Sequence, residues 1–166
     1  KPGFIKGRQL LNIDSEDEGV FTVGCAGGED ARLKLPFVAD QSLASHTAFN
    51  LVCGGMSGGH SGIDIVEQRA NAVKVLFRAI HLISQQTDVR ISSASGGTAR
   101  NAIPRDAEAL LLIPANDAEI ATAIIRDLEK KLQAEYEKTD PNLTVSLQPV
   151  SDTAPASSAA ATRLAI

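Results

Sequence analysis

The sequence predicts an α+β fold of the ferredoxin-like type, βαββαβ, with an antiparallel sheet and two helices on one face. Three observations predict it. From Thr47 to Val150 the hydrophobic pattern reads strand, helix, strand, strand, helix, strand. Two stretches in that span carry apolar residues at three- and four-residue steps, as amphipathic helices do. The intervening short runs are bounded by Gly, Pro, Asn and Asp.

Thr47 to Cys53 alternates, with Phe49, Leu51 and Cys53 on one face and Asn50 on the other, so one side is buried. A helix is expected from about Ile63 to Gln86, its stripe built from Val66, Ala70, Val73, Phe77 and Ile80. His81 falls within it as a surface or half-buried residue. Val89 to Ser93 reads as a strand, Gly96 to Pro104 as a loop, and Ala107 to Ile113 as a further strand. Pro114-Ala115-Asn116-Asp117 stops that strand and caps the second helix. There Ala121, Ile124, Leu128, Leu132 and Tyr136 share a face, and Arg126, Asp127, Glu129 and Lys130 face water. Asp140-Pro141-Asn142 breaks the helix, and Leu143, Val145 and Leu147 point one way in a last strand.

Ahead of this block, Arg8 to Ile13 reads as a short buried strand after a turn-rich opening. It runs into Asp14-Ser15-Glu16-Asp17-Glu18-Gly19, which is either a solvated acidic turn or a source of oxygen ligands for a divalent cation. Val20 to Cys25 and Arg32 to Val38 flank Ala26-Gly27-Gly28-Glu29-Asp30 as a hairpin. Ser151 to Ala161 is rich in Ser, Ala and Pro and reads as a linker, with Thr162 to Ile166 opening a further element. The first residue is Lys, so the sequence reads as a piece of something longer.

The stretch from Gly54 to Gly62 holds five glycines in nine residues around a single histidine, His60. Glycine allows positive φ and a close approach of the backbone, and histidine exchanges protons near neutral pH. Such a turn can cradle a phosphate, but the lysine of a P-loop and the dinucleotide glycine spacing are both absent. A net charge of −4 and 4 % aromatic residues exclude the basic, stacking surface that nucleic acid requires. Cys25 and Cys53 form neither a disulfide framework nor a zinc spacing, which suits a reduced compartment, and the expected location is cytoplasmic. No apolar stretch is long enough to span a bilayer.

Four blocks then fall into a known order. They are Leu10 to Gly19, Gly24 to Gly28, Gly58-Gly59-His60-Ser61-Gly62, and Gly96-Gly97-Thr98-Ala99-Arg100-Asn101-Ala102-Ile103-Pro104-Arg105. Together they resemble the bacterial cytosolic aminoacyl-histidine dipeptidases, hydrolases of Xaa-His dipeptides among the two-zinc metallopeptidases related to carnosinase and bacterial carboxypeptidase G. The resemblance implies a catalytic domain holding two zinc ions and a ferredoxin-like lid that mediates homodimerisation. It also implies that Asp14 is a terminal zinc ligand and that His60 stabilises the tetrahedral oxyanion from the partner subunit's lid. Asn101 would contact the dipeptide substrate, with Arg100 and Thr98 as weaker neighbours.

The family's His-x-Asp pair, bridging Asp, Glu-Glu pair and final His are missing, and His46 and His81 lie in the wrong contexts to replace them. Asp14 alone cannot hold zinc, so no metal is expected on this chain by itself. The implied organisation is a catalytic-domain flank with its hairpin connection over 1–40, a ferredoxin-like lid and dimerisation domain over 41–150, and a linker with an unfinished element over 151–166. The parent enzyme would be a metallo-dipeptidase and this piece inactive alone. An independent ferredoxin-like interaction or regulatory module without catalysis is the alternative.

Overall fold

A computed structural model describes residues 3, 6–9, 11, 13, 18–24, 29–36, 38–40, 43–151 and 155–166. Contacts divide the chain into two units, Lys1–Lys34 and Leu35–Ile166. In the first unit none of the described residues lies in a strand or helix. Leu11, Ile13, Phe21 and Val23 are almost wholly exposed. Among the described residues of the expected strand 8–13 and of the hairpin arms 20–25 and 32–38, none lies in a strand. A lone strand pair is marginal in water, and side chains as exposed as these gain nothing from burial.

The second unit begins with β1 (Ala39–Asp40), β2 (His46–Gly54) and β3 (Gly59–His60). After a 3₁₀ turn over Asp64–Glu67 come α1 (Ala72–Ser84), β4 (Arg90–Gly96), β5 (Ala102–Ile103) and β6 (Ala107–Pro114). The chain closes with α2 (Ala118–Glu135), β7 (Thr144–Pro149), β8 (Ala156–Ser157) and α3 (Ala159–Ala165). The main sheet runs β4-β6-β2-β7 with every neighbouring pair antiparallel. That is the ferredoxin-like order, in which β2 and β6 sit centrally and the two crossover helices pack on one face.

Phe49, Leu51 and Cys53 all face those helices, as their alternation requires. They lie opposite Leu111, Ala109 and Ala107 on β6. Small residues on β6 leave room for Val75, Leu76, Ala79, Ile80 and Ile83 of α1, and Ile125, Leu128 and Leu132 of α2 complete the core. Burial pushes the Cys53 thiol up to about 12, so it packs as a small apolar side chain and holds no reactive thiolate.

Two expectations for this unit are corrected. The helix expected from Ile63 starts nine residues later, at Ala72, where the Asn71 side chain accepts from the Lys74 N–H. Before it, Gln68 takes a left-handed φ of 55°, and Val66 is 74 % exposed instead of lining the core. The composition of 151–161 suggested a linker, yet Ala156–Ser157 pairs antiparallel with Ala39–Asp40, and a helix follows. Alanine is the strongest helix former and Ser158 caps the run by accepting from the Ala161 N–H, so the bias encodes structure. The buried Ser157 and Thr162 hydroxyls bond each other at 2.6 Å.

One side chain joins three of these segments. Asp140 is completely buried in the loop between α2 and β7. Its Oδ1 accepts from the Ser57 N–H and its Oδ2 from the Ala70 N–H, both at 2.7 Å. Burial alone would push this carboxyl up, but the Ser57 and Ala70 amides outweigh it and hold the group below the ordinary carboxylate range. A carboxyl lowered in the folded state stabilises the fold above the unfolded value of about 4, and that stabilisation is lost as pH falls through the lowered value.

Asp140→Asn keeps the shape but turns an NH₂ group toward one of the two amide donors. We expect it to lower the unfolding free energy at pH 7 by about 2–3 kcal/mol. The part of the chain's acid sensitivity that begins below about pH 4 should flatten with it. Denaturant unfolding at neutral and acid pH measures both, and an unchanged midpoint at pH 7 would exclude this anchor.

Candidate functional site

The glycine-rich turn leaves β2 at Gly54 and returns as β3, a two-residue strand paired with β5: Gly59 lies opposite Ile103 and His60 opposite Ala102. Glycine is demanded at Gly55, whose φ is +73° and whose Cβ would run into the Asn142 carbonyl. It is demanded again at Gly59, with φ +142°, where a Cβ would meet the Arg69 guanidinium and the Asp64 carboxylate. Between them the Met56 side chain enters the core. The Ser57 hydroxyl donates to the Thr139 carbonyl at 3.1 Å. The turn is thus tied to the body at several points.

His60 stands exposed at the end of this ribbon. Its Nδ1 accepts from the Gly62 N–H at 3.1 Å and from the Ile63 N–H at 3.3 Å. With Nδ1 occupied as an acceptor, the neutral ring carries its proton on Nε2, which makes Nε2 a donor. The His60 backbone N–H donates to Asp64 Oδ2 at 2.7 Å. Arg69 Nη1 donates to the Gly58 carbonyl at 2.6 Å, and its Nη2 lies 3.7 Å from Asp64 Oδ1.

The other site residues named from the sequence lie around this ribbon. Asn101 is exposed just before β5, and its backbone carbonyl accepts from the Ser61 N–H at 2.8 Å, directly beyond His60. Thr98 lines a cleft of about 350 Å³ with Ser57, Gly59, Ile103 and Arg105. Arg100 is exposed in the same loop. The fold therefore brings Asn101 next to the chain at His60, and sets Thr98 on the wall of a cleft lined by Gly59 and Ala102. Asp14 lies outside the described residues, as does Cys25.

Asp64, Arg69 and Asp140 were missed as parts of the site. In the sequence Asp64 and Arg69 look like the polar side of a helix, and Asp140 looks like a helix breaker. The usable signal was their position around a glycine turn, whose freed backbone groups need partners.

Among the described residues no three His, Cys, Asp or Glu side chains converge as they would to hold a metal ion. No helix among them is long and apolar enough to cross a membrane. The fold and ribbon define an α+β domain that presents a polar tip. Residues 54–140, just over half of the sequence, match the peptidase dimerisation domain, and the chain belongs to that family.

The chain is 34 % identical over 143 residues to the cytosol non-specific dipeptidase of Escherichia coli (strain K12), covering 86 % of this chain and 30 % of that protein. It superposes on the aminoacylhistidine dipeptidase of Vibrio alginolyticus with a TM-score of 0.73 at 28 % identity, over 76 % of this chain and 26 % of that one. The chain thus spans under a third of the length of either relative.

Gly59→Ala places a methyl group against Asp64 and Arg69 in a backbone region that side chains avoid. It should lower stability by about 1–3 kcal/mol and shift the His60, Ser61 and Asn101 amide resonances. Calorimetry and amide NMR read the two effects, and a spectrum left unchanged around His60 would mean that the ribbon does not depend on Gly59.

Proposed function

We propose that this chain is the lid and dimerisation portion of a zinc-dependent dipeptidase that hydrolyses Xaa-His dipeptides in the cytoplasm as a homodimer. In this reading His60 is the group that acts on the reaction. Its Nε2–H donates to the oxyanion that forms on the scissile carbonyl in the partner subunit's active site. Asn101, adjacent across the ribbon, contacts the dipeptide backbone, with Arg100 and Thr98 beside it.

The observation that carries the reading is the ring orientation: two backbone amides occupy Nδ1, so the exposed nitrogen is the donor. A donor fixed before charge develops stabilises the transition state more than the ground state. Zinc, when bound by the catalytic portion, would polarise the carbonyl and activate water. Asp14 would be one terminal ligand there, with the residues 1–40 as its flank and 41–150 as the lid.

The 166-residue chain alone should not hydrolyse a Xaa-His dipeptide with zinc added, since it lacks most ligands and a general base. In the complete enzyme, His60→Ala should lower kcat by about 10² to 10³ with a smaller effect on KM, leaving zinc content and dimerisation intact. Mixing His60→Ala subunits with Asp14→Ala subunits should restore part of the activity. A mixed dimer pairs one intact metal set with one intact lid histidine. Turnover by the isolated chain near the complete enzyme's rate would overturn the lid reading. An unchanged kcat in His60→Ala would favour an interaction module without catalysis.

A further inference from the structure

The His60 ring does not hold itself. On one side its Nδ1 is fixed by the amides of Gly62 and Ile63. Those amides are aimed at the ring only while the backbone from Gly58 to Ile63 keeps its course. Gly58, at φ +67°, and Gly59, at φ +142°, are the freest positions in that stretch. Something must select one conformation for them.

Asp64 and Arg69 do so from opposite directions. Asp64 Oδ2 takes the His60 N–H, Arg69 Nη1 takes the Gly58 carbonyl, and the two side chains face each other at 3.7 Å. Both are only about a quarter to a third exposed, so water competes weakly for these bonds. The space over Gly59 is filled by the same two groups, which approach within 2.7 Å and 2.6 Å of where its Cβ would stand. Arg69 is itself seated, because the N–H of the next residue, Ala70, ends on the buried Asp140.

We infer that Asp64 and Arg69 form a clasp that positions His60, selecting the ring orientation in which Nε2 is the outward donor. Neither touches the reacting atoms, so both are positioning residues. The inference rests on the proposed role of His60 for its kinetic consequence, and on ring geometry alone for its structural one.

Two measurements separate these. In the complete dipeptidase, Asp64→Ala and Arg69→Ala should each lower kcat by about tenfold to hundredfold and leave KM within about twofold, as misplacing a fixed group does. Asp64→Asn, which still accepts from the His60 N–H, should recover much of the loss. Added to His60→Ala, either change should cost little more, because residues acting as a unit are not additive. In this chain, nitrogen NMR of the neutral His60 ring should give one tautomer with Nδ1 as acceptor. Asp64→Ala should turn that into a mixture.

If His60→Ala is slow while Asp64→Ala and Arg69→Ala keep the original kcat, the clasp is overturned and the role of His60 stands. If His60→Ala itself has no effect, the proposed function fails. The ring spectrum then decides the clasp, and an unchanged tautomer in Asp64→Ala overturns it. Should Asp64→Ala fail to fold, Arg69→Ala, which removes the bond to the Gly58 carbonyl, carries the kinetic and the ring-tautomer test in its place.

Discussion

The second unit depends on what the buried carboxylate of Asp140 does with its two oxygens. One takes the amide of Ser57 in the glycine turn, the other the amide of Ala70 at the entry to α1. Charge-assisted bonds of 2.7 Å are the stronger kind, and each amide left without a partner in this buried position would be costly. The neutral amide of the same shape would offer an oxygen to one of these donors and an NH₂ group to the other. So the loop between α2 and β7, the end of β2 and the start of α1 are closed by one group. The close seat of Gly55 on the Asn142 carbonyl is the steric side of the same constraint.

From that anchor the structure divides in two. The sheet and its helices form a packed body whose alternation and stripes are complete, with Leu51, Leu111, Ile80 and Leu128 fully enclosed. The β3–β5 ribbon has two residues per strand and little core of its own. Its order comes from hydrogen bonds: Ser61 to Asn101 across it, and Ala72 of α1 to Pro104 behind it. A donor held at the tip of such a ribbon is worth little in water, where solvent competes. It gains strength only when a second surface excludes that water. The arrangement suits a group that acts by being covered.

The fold was legible in the sequence because its signals are local and repeat. Phe49, Leu51 and Cys53 announce their common face by spacing alone, and so do Leu128 and Leu132. The ribbon was not legible, since Ala102–Ile103 is too short to show a period and its partner strand is Gly-His. The start of the helix over 63–86 was misplaced because Val66 and Ala70 extend the helical steps of Val73, Phe77 and Ile80 backwards, yet Val66 ends up exposed. The Ser- and Ala-rich tail misled by composition, where only a pairing with Ala39–Asp40 reveals the strand. Of the site, His60 and Asn101 stood out by resemblance and turn out to be neighbours. Their supports did not stand out, because Asp64, Arg69 and Asp140 gain meaning only once distant segments meet.

The misplaced helix and the clasp have a single cause. A continuous helix from Ile63 would bond the Ala70 amide to a carbonyl four residues back and carry Arg69 around the helix. Instead the chain stops after one 3₁₀ turn, accepts a left-handed Gln68 at a cost on the order of 1 kcal/mol, and restarts at Asn71. The break releases the Ala70 amide to Asp140 and leaves Arg69 within reach of the Gly58 carbonyl. Two strong bonds replace the lost helical turn. The interruption of the apolar period is therefore where the body gives up regular structure to fix the ribbon, and with it the ring of His60.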